Sequence, residues 1–151
     1  FRHEVGHYMQ WRLVEDTDRI AESRRLFGDE TADYQAEIDR HYSEGPPANW
    51  WERYISTYAT MHPYEDFAET WAHFLHMTDT VETAHIYGLA RTSGPEDSPT
   101  FRAFVTDTWM PLSTALNMVN RSMGKADLYP FVIPDPVLDK LDFIASLRPE
   151  R

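Results

Sequence analysis

The opening stretch Phe1-Arg2-His3-Glu4-Val5-Gly6-His7 constrains this chain more than any other. His3 and His7 are four residues apart, so a helix sets both imidazoles on one face about one turn from each other. Glu4 projects beside them. This H-E-x-x-H pattern supplies two imidazole ligands for zinc and a carboxylate to work on water at the metal. A closed structural site takes a fourth protein ligand, often a thiolate. The chain has no cysteine, so the pattern favours an open, catalytic kind of site, and it demands a third ligand from elsewhere.

The search for that ligand leads to His62-Pro63-Tyr64-Glu65-Asp66-Phe67-Ala68-Glu69. Pro63 suits the first turn of a helix, with acidic residues just inside it. Glu65, Glu69, His73 and His76 follow a three-to-four spacing and line one face, while Phe67, Trp71, Phe74 and Leu75 point mostly elsewhere. A carboxylate near the start of this second helix can cross the first beside its histidine pair, so Glu65 is the expected third ligand. Glu69, one turn on, is placed to accept a hydrogen bond from the non-ligating nitrogen of a zinc-bound histidine. His62 is expected to cap this helix. His73 and His76 read as structural histidines.

Composition narrows the partners. The 14 basic and 25 acidic residues give a formal charge of −11, which argues against a nucleic-acid backbone or an anionic membrane. No apolar run approaches a membrane span. Hydrophobic content of 42% and aromatic content of 14% describe a globular chain. Its length fits one domain, residues 1–151. The absence of cysteine excludes disulfides and points towards a reducing, cytoplasmic setting. A start at Phe1, inside an expected helix, suggests a piece of a longer protein.

The rest reads as a series of helices. The first runs to about Val14, with Tyr8, Trp11 and Val14 extending its apolar surface. Gly6 costs about 1 kcal/mol against alanine there, which makes sense if something approaches the helix closely. Asp16-Thr17-Asp18 offers N-cap chemistry for a helix through Ile20 and Leu26 that stops at Gly28. Another spans about 32–43 and ends at Gly45-Pro46-Pro47, with Tyr34, Ile38 and Tyr42 at helical spacing. A short helix is expected over 50–57. The Glu65 helix continues to about Leu89, and 91–99 is a loop. Residues 101–123 are helical with a kink or break at Pro111, 129–136 are extended, and a last helix covers 137–147. Asn117, Asn120 and Arg121 are candidates for a polar network joining the late helices. No strand is evident.

These motifs resemble those of the gluzincin metallopeptidases: H-E-x-x-H, then a helix reading E-x-F-A-E, preceded by a tyrosine seven positions before its first glutamate. The wording is similar to a bacterial family called putative zinc-binding metallopeptidases. The hallmarks are Phe-Arg-His-Glu-Val-Gly-His-Tyr, His-Pro-Tyr-Glu-Asp-Phe-Ala-Glu-Thr-Trp-Ala-His and Asn-Arg-Ser-Met-Gly, and the resemblance covers nearly the whole chain. The resemblance implies a mainly α, zincin-like domain holding one Zn²⁺ through His3, His7 and Glu65. Glu69 would support a ligand. Glu4 would act as general base in hydrolysis of a peptide or protein substrate, and Tyr58 would donate to the oxyanion. Zincins usually place a β-sheet before the H-E-x-x-H helix, and this chain starts at the helix. Gln10 and Leu13 stand where a metzincin needs glycine and histidine.

Two other readings stand beside this one. Glu4-x-x-His7 and Glu82-x-x-His85 are both E-x-x-H pairs, the ingredients of a ferritin-like di-iron site. A non-catalytic zinc module for protein interaction is the other. It gives Glu4 no work to do.

Overall fold

In a computed structural model, residues 1–129 and 132–148 are described. All regular structure among them is helical: α1 (Arg2–Leu13), α2 (Ile20–Phe27), α3 (Tyr34–Glu44), α4 (Pro63–Ile86), α5 (Phe101–Phe104), α6 (Met110–Ser122) and α7 (Asp135–Ser146). The fold is mainly α, as the periodicity and the family resemblance imply. No helix among the described residues is long and apolar enough to cross a membrane. The chain forms two compact units, one of residues 1–74 and 134–151, the other of residues 75–133.

The first unit contains α1, α2, α3, the first half of α4, and α7. Its core is aromatic. The Phe27 ring lies 5.3 Å from Phe67 and 6.0 Å from Phe143, with Val14, Val137, Leu141 and Ile144 buried as well. Full burial of such side chains stabilises by about 1.5–3 kcal/mol each. A charge pair is buried within this unit. Lys140 Nζ donates to Asp66 Oδ2 at 2.5 Å and to the Arg53 carbonyl at 2.8 Å, and it lies 4.5 Å from the Tyr54 ring centroid.

Local chemistry sets the helix boundaries. Asp33 caps α3, accepting from the Ala36 amide at 3.1 Å. His62 caps α4 as expected: its Nδ1 accepts from the Tyr64 amide at 3.1 Å, and its Nε2 lies 3.1 Å from the Ala32 carbonyl. Gly28 ends α2 at φ 103°, a conformation that favours glycine.

Several expectations change. The Asp16-Thr17-Asp18 break does not cap α2. Instead Thr17 Oγ1 donates to the Val14 carbonyl at 2.8 Å and accepts from the Arg19 amide at 3.2 Å, which closes a turn between helices. The helix expected over 50–57 is only a 3₁₀ turn at Trp50–Glu52, with a second at Tyr58–Thr60. Left-handed Asn49 (φ 65°) opens the first turn, and the backbone leaves helical geometry at Arg53 (φ −136°). Tyr8 and Trp11 do not extend a buried surface, being 54% and 56% exposed, whereas α1 buries Gly6 and Gln10.

The second unit contains the rest of α4, then α5 and α6. Pro111 does not break the helical run. A π-helical turn, Val105–Trp109, carries α5 into α6, and the wider turn accommodates a residue without an amide hydrogen. Asn117, Asn120 and Arg121 staple the following segment to α6. Asn117 Oδ1 accepts from the Leu128 amide, Asn120 donates to the Ala126 carbonyl, and Arg121 pairs with Asp127. Residues 130 and 131 of the expected extended stretch lie outside the described residues.

Candidate metal centre

The centre lies where α1 crosses α4. A helix normally turns its most apolar face inward, but α1 turns in His3, Gly6, His7 and Gln10. Gly6 explains how. A β-carbon there would lie 2.8 Å from Ala68 Cα, 3.0 Å from Ala68 O and 3.1 Å from Trp71 Cβ. The two backbones touch at this point, which brings short side chains on both helices to a common point.

Three atoms meet there. His3 Nε2 is 3.1 Å from His7 Nε2 and 3.0 Å from Glu65 Oε2, and His7 Nε2 is 3.6 Å from the same oxygen. A tetrahedral zinc ion about 2.0–2.1 Å from each ligand holds its ligands about 3.3–3.4 Å apart, so the triangle is close to the right size. His3, His7 and Glu65 form the one group of three or more metal-type ligands that converges among the described residues.

The surrounding hydrogen bonds bear on what this triangle could hold. His3 Nδ1 lies 2.7 Å from Glu69 Oε1. An ionised carboxylate only accepts, so Nδ1 carries the proton and Nε2 presents a lone pair. Glu65 Oε2 is buried without a hydrogen bond. The 3.0 Å approach to His3 Nε2 therefore lacks hydrogen-bond geometry. His7 Nε2 lies within hydrogen-bond reach of His3 Nε2, but His3 Nε2 and Glu65 Oε2 are electron-pair donors facing each other at 3.0 Å, and such a pair repels unless a cation sits beside it. Glu65, with a side chain 3% exposed, makes the need acute, since a buried charge must be paired or hold a metal.

The titration behaviour agrees. Interaction with Glu65 raises His7 above its ordinary value, against the opposing effect of burial, with Glu4 adding to the rise. At 3.6 Å this is attraction between charges and not a formed hydrogen bond. Burial pushes Glu65 upward, but His7 and the Tyr34 hydroxyl outweigh it and hold the carboxyl below its usual range.

The other expected residues surround this triangle. Glu69 is fixed at its second oxygen by the Ser56 hydroxyl at 2.7 Å, and Ser56 Oγ accepts from the Ala59 amide at 3.1 Å. Glu4 is exposed, yet near enough for its charge to raise His7, Tyr34 and Tyr58. The Tyr58 ring stands edge-on to His3 at 5.5 Å. Burial first, then the charge of Glu65, raises its hydroxyl pKa, so it stays a donor. His73 and His76 are not in the converging group. Glu82 and His85, the other E-x-x-H pair, belong to the second unit.

Two residues were not anticipated. The Tyr34 hydroxyl donates to Glu65 Oε1 at 2.7 Å, and that bond pushes its pKa up to about 12. In sequence Tyr34 is one more aromatic at helical spacing. Ser56 lies in an irregular stretch with no periodicity to mark it.

Comparison with known proteins bears on this centre. A family profile described as putative zinc-binding metallo-peptidase matches residues 1–147. Uncharacterized proteins of Mycobacterium bovis and of two strains of Mycobacterium tuberculosis are 51% identical over 155 residues, covering 99% of this chain and 46% of each relative. The chain therefore spans about half the length of the curated relatives it matches. No solved structure matches it. On the strength of the profile match over nearly its whole length, the chain belongs to the putative zinc-binding metallo-peptidase family.

Proposed function

We propose that the protein is a zinc-dependent peptidase of gluzincin type, holding one Zn²⁺ through His3 Nε2, His7 Nε2 and Glu65 Oε2. The observation that carries the reading is the buried, unbonded Glu65 oxygen facing two imidazole nitrogens at tetrahedral-edge spacing. When bound, zinc would polarise a water molecule and lower its pKa to about 7.

The chain's own residues do the rest. Glu69 keeps His3 in the tautomer whose Nε2 is unprotonated. Glu4, exposed and beside the histidines, accepts the proton of the attacking water and hands it to the leaving amine. Tyr58 donates to the oxygen that becomes negative in the transition state; loss of one such donor typically costs about 2.7–4 kcal/mol. The proposed substrate is a peptide or protein, and the proposed setting is cytoplasmic.

Glu4→Gln tests the reading against a purely structural zinc module. The variant is expected to keep wild-type zinc affinity and to lose peptide cleavage by about 10²–10⁴-fold. Unchanged cleavage in that variant would assign any activity to another residue. A wild-type protein that binds zinc and cleaves no peptide in a broad library would favour the interaction module.

A further inference from the structure

The two oxygens of Glu65 have different surroundings, and the difference bears on how many of them a metal can take. Oε1 accepts the Tyr34 hydroxyl at 2.7 Å. Oε2 is buried, has no hydrogen bond and faces both histidines. We propose that Tyr34 is a positioning residue that ties up one Glu65 oxygen, so that the carboxylate offers a single atom to the metal and one coordination position stays available to water. The inference rests on the metal reading above and deepens it.

The physical argument starts from carboxylate chemistry. A carboxylate binds metals through one oxygen or through both. Pivoting the carboxylate within its own plane, in a turn about its carboxyl carbon, would bring Oε1 to the metal beside Oε2 and fill the place an open site keeps for water. A hydrogen bond to an ionised acceptor is among the stronger kinds, and here it opposes that turn. His3 and His7 offer no such control, because each imidazole presents one nitrogen.

Tyr34 is itself held for this task. It is the first residue of α3, set by the Asp33 cap. Its ring stands edge-on to His62 at 5.1 Å, and His62 is held at both nitrogens. Packing alone does not account for Tyr34, since it is 42% exposed and α3 buries no side chain fully.

The test is Tyr34→Phe in the metal-loaded protein, with Tyr42→Phe on the same helix as control. Zinc affinity is measured by chelator competition, and Co²⁺ is loaded separately for its visible spectrum. Four-coordinate Co²⁺ absorbs more strongly than five-coordinate Co²⁺, so band intensity reports the second oxygen. Tyr34→Phe is expected to lower zinc affinity by about 10–100-fold and to weaken the cobalt bands, while Tyr42→Phe changes neither. Wild-type affinity and intensity in Tyr34→Phe would overturn the inference. So would an affinity loss with unchanged bands, the result of a merely structural role. If Tyr34→Phe fails to fold, X-ray absorption on the wild-type zinc protein decides: one carboxylate oxygen in the zinc shell supports the proposal, and two overturn it. A wild-type protein that takes up neither ion overturns the metal reading itself, a result distinct from failure of the variant.

Discussion

Replacing Gly6 with alanine probes the helix crossing that creates the centre. The new methyl would lie 2.8 Å from Ala68 Cα and 3.0 Å from Ala68 O, against about 3.5–4.0 Å for unstrained contact between carbons. Both neighbours are backbone atoms, so no side-chain rotation relieves the clash, and the helices must separate by about 0.7–1.2 Å at this point. Overpacking of this kind costs about 1–3 kcal/mol, and better helix propensity returns about 1 kcal/mol. The net loss is about 1 kcal/mol, or about 2–4 °C in the melting midpoint of a chain this size. The effect on metal is larger. His3 and His7 move with their helix, so the 3.0 Å approach of His3 to Glu65 Oε2 would lengthen past the roughly 3.3–3.4 Å that ligands of one ion allow, and the 3.6 Å approach of His7 would move further from it. Zinc affinity, measured by chelator competition, should fall by at least about 100-fold, the upper range for disturbing a ligand's support. A variant about 1 kcal/mol more stable, with unchanged zinc affinity, is what an unconstrained helix position would give, and it would refute the close crossing.

Two further outcomes follow from charge. Lys140→Met strands Asp66 in the core and should cost about 3–5 kcal/mol in urea unfolding, whereas Lys140→Met with Asp66→Leu should recover most of that loss; equal losses would contradict a buried ion pair. In the metal-free protein the raised His7 pKa contributes stability that is fully present below the unfolded value and is lost as pH rises through the folded one. Zinc displaces that proton, so the rise in melting midpoint on adding zinc should be smaller at pH 6 than at pH 8; a pH-independent shift would count against His7 as a ligand.

Much of the centre was legible because its chemistry is periodic. The i, i+4 histidines and the i, i+4 glutamates each need only one helix to align them, and Pro63 with His62 marked where the second helix begins. What escaped depends on contacts between distant segments. Tyr34 and Ser56 act on residues 31 and 13 positions away, and no local pattern records such pairings. The inward face of α1 was misjudged for a related reason. Apolar periodicity pointed to Tyr8 and Trp11, but the need to bring ligands together turned a small and polar stripe inward. The close approach expected at Gly6 was the one sequence clue to that inversion. Pro111 predicts a kink or break only in a regular α-helix, and the π-helical turn before it has no signature in the sequence.

The most direct test of the central claim is the metal content and coordination of the purified protein, measured by elemental analysis with X-ray absorption on the wild type and on variants at His3, His7 and Glu65. The account predicts one zinc per chain with two imidazole nitrogens and a carboxylate oxygen, lost when any of the three residues becomes alanine. A wild-type protein that binds no divalent ion, or a zinc ion that survives replacement of all three, would contradict it.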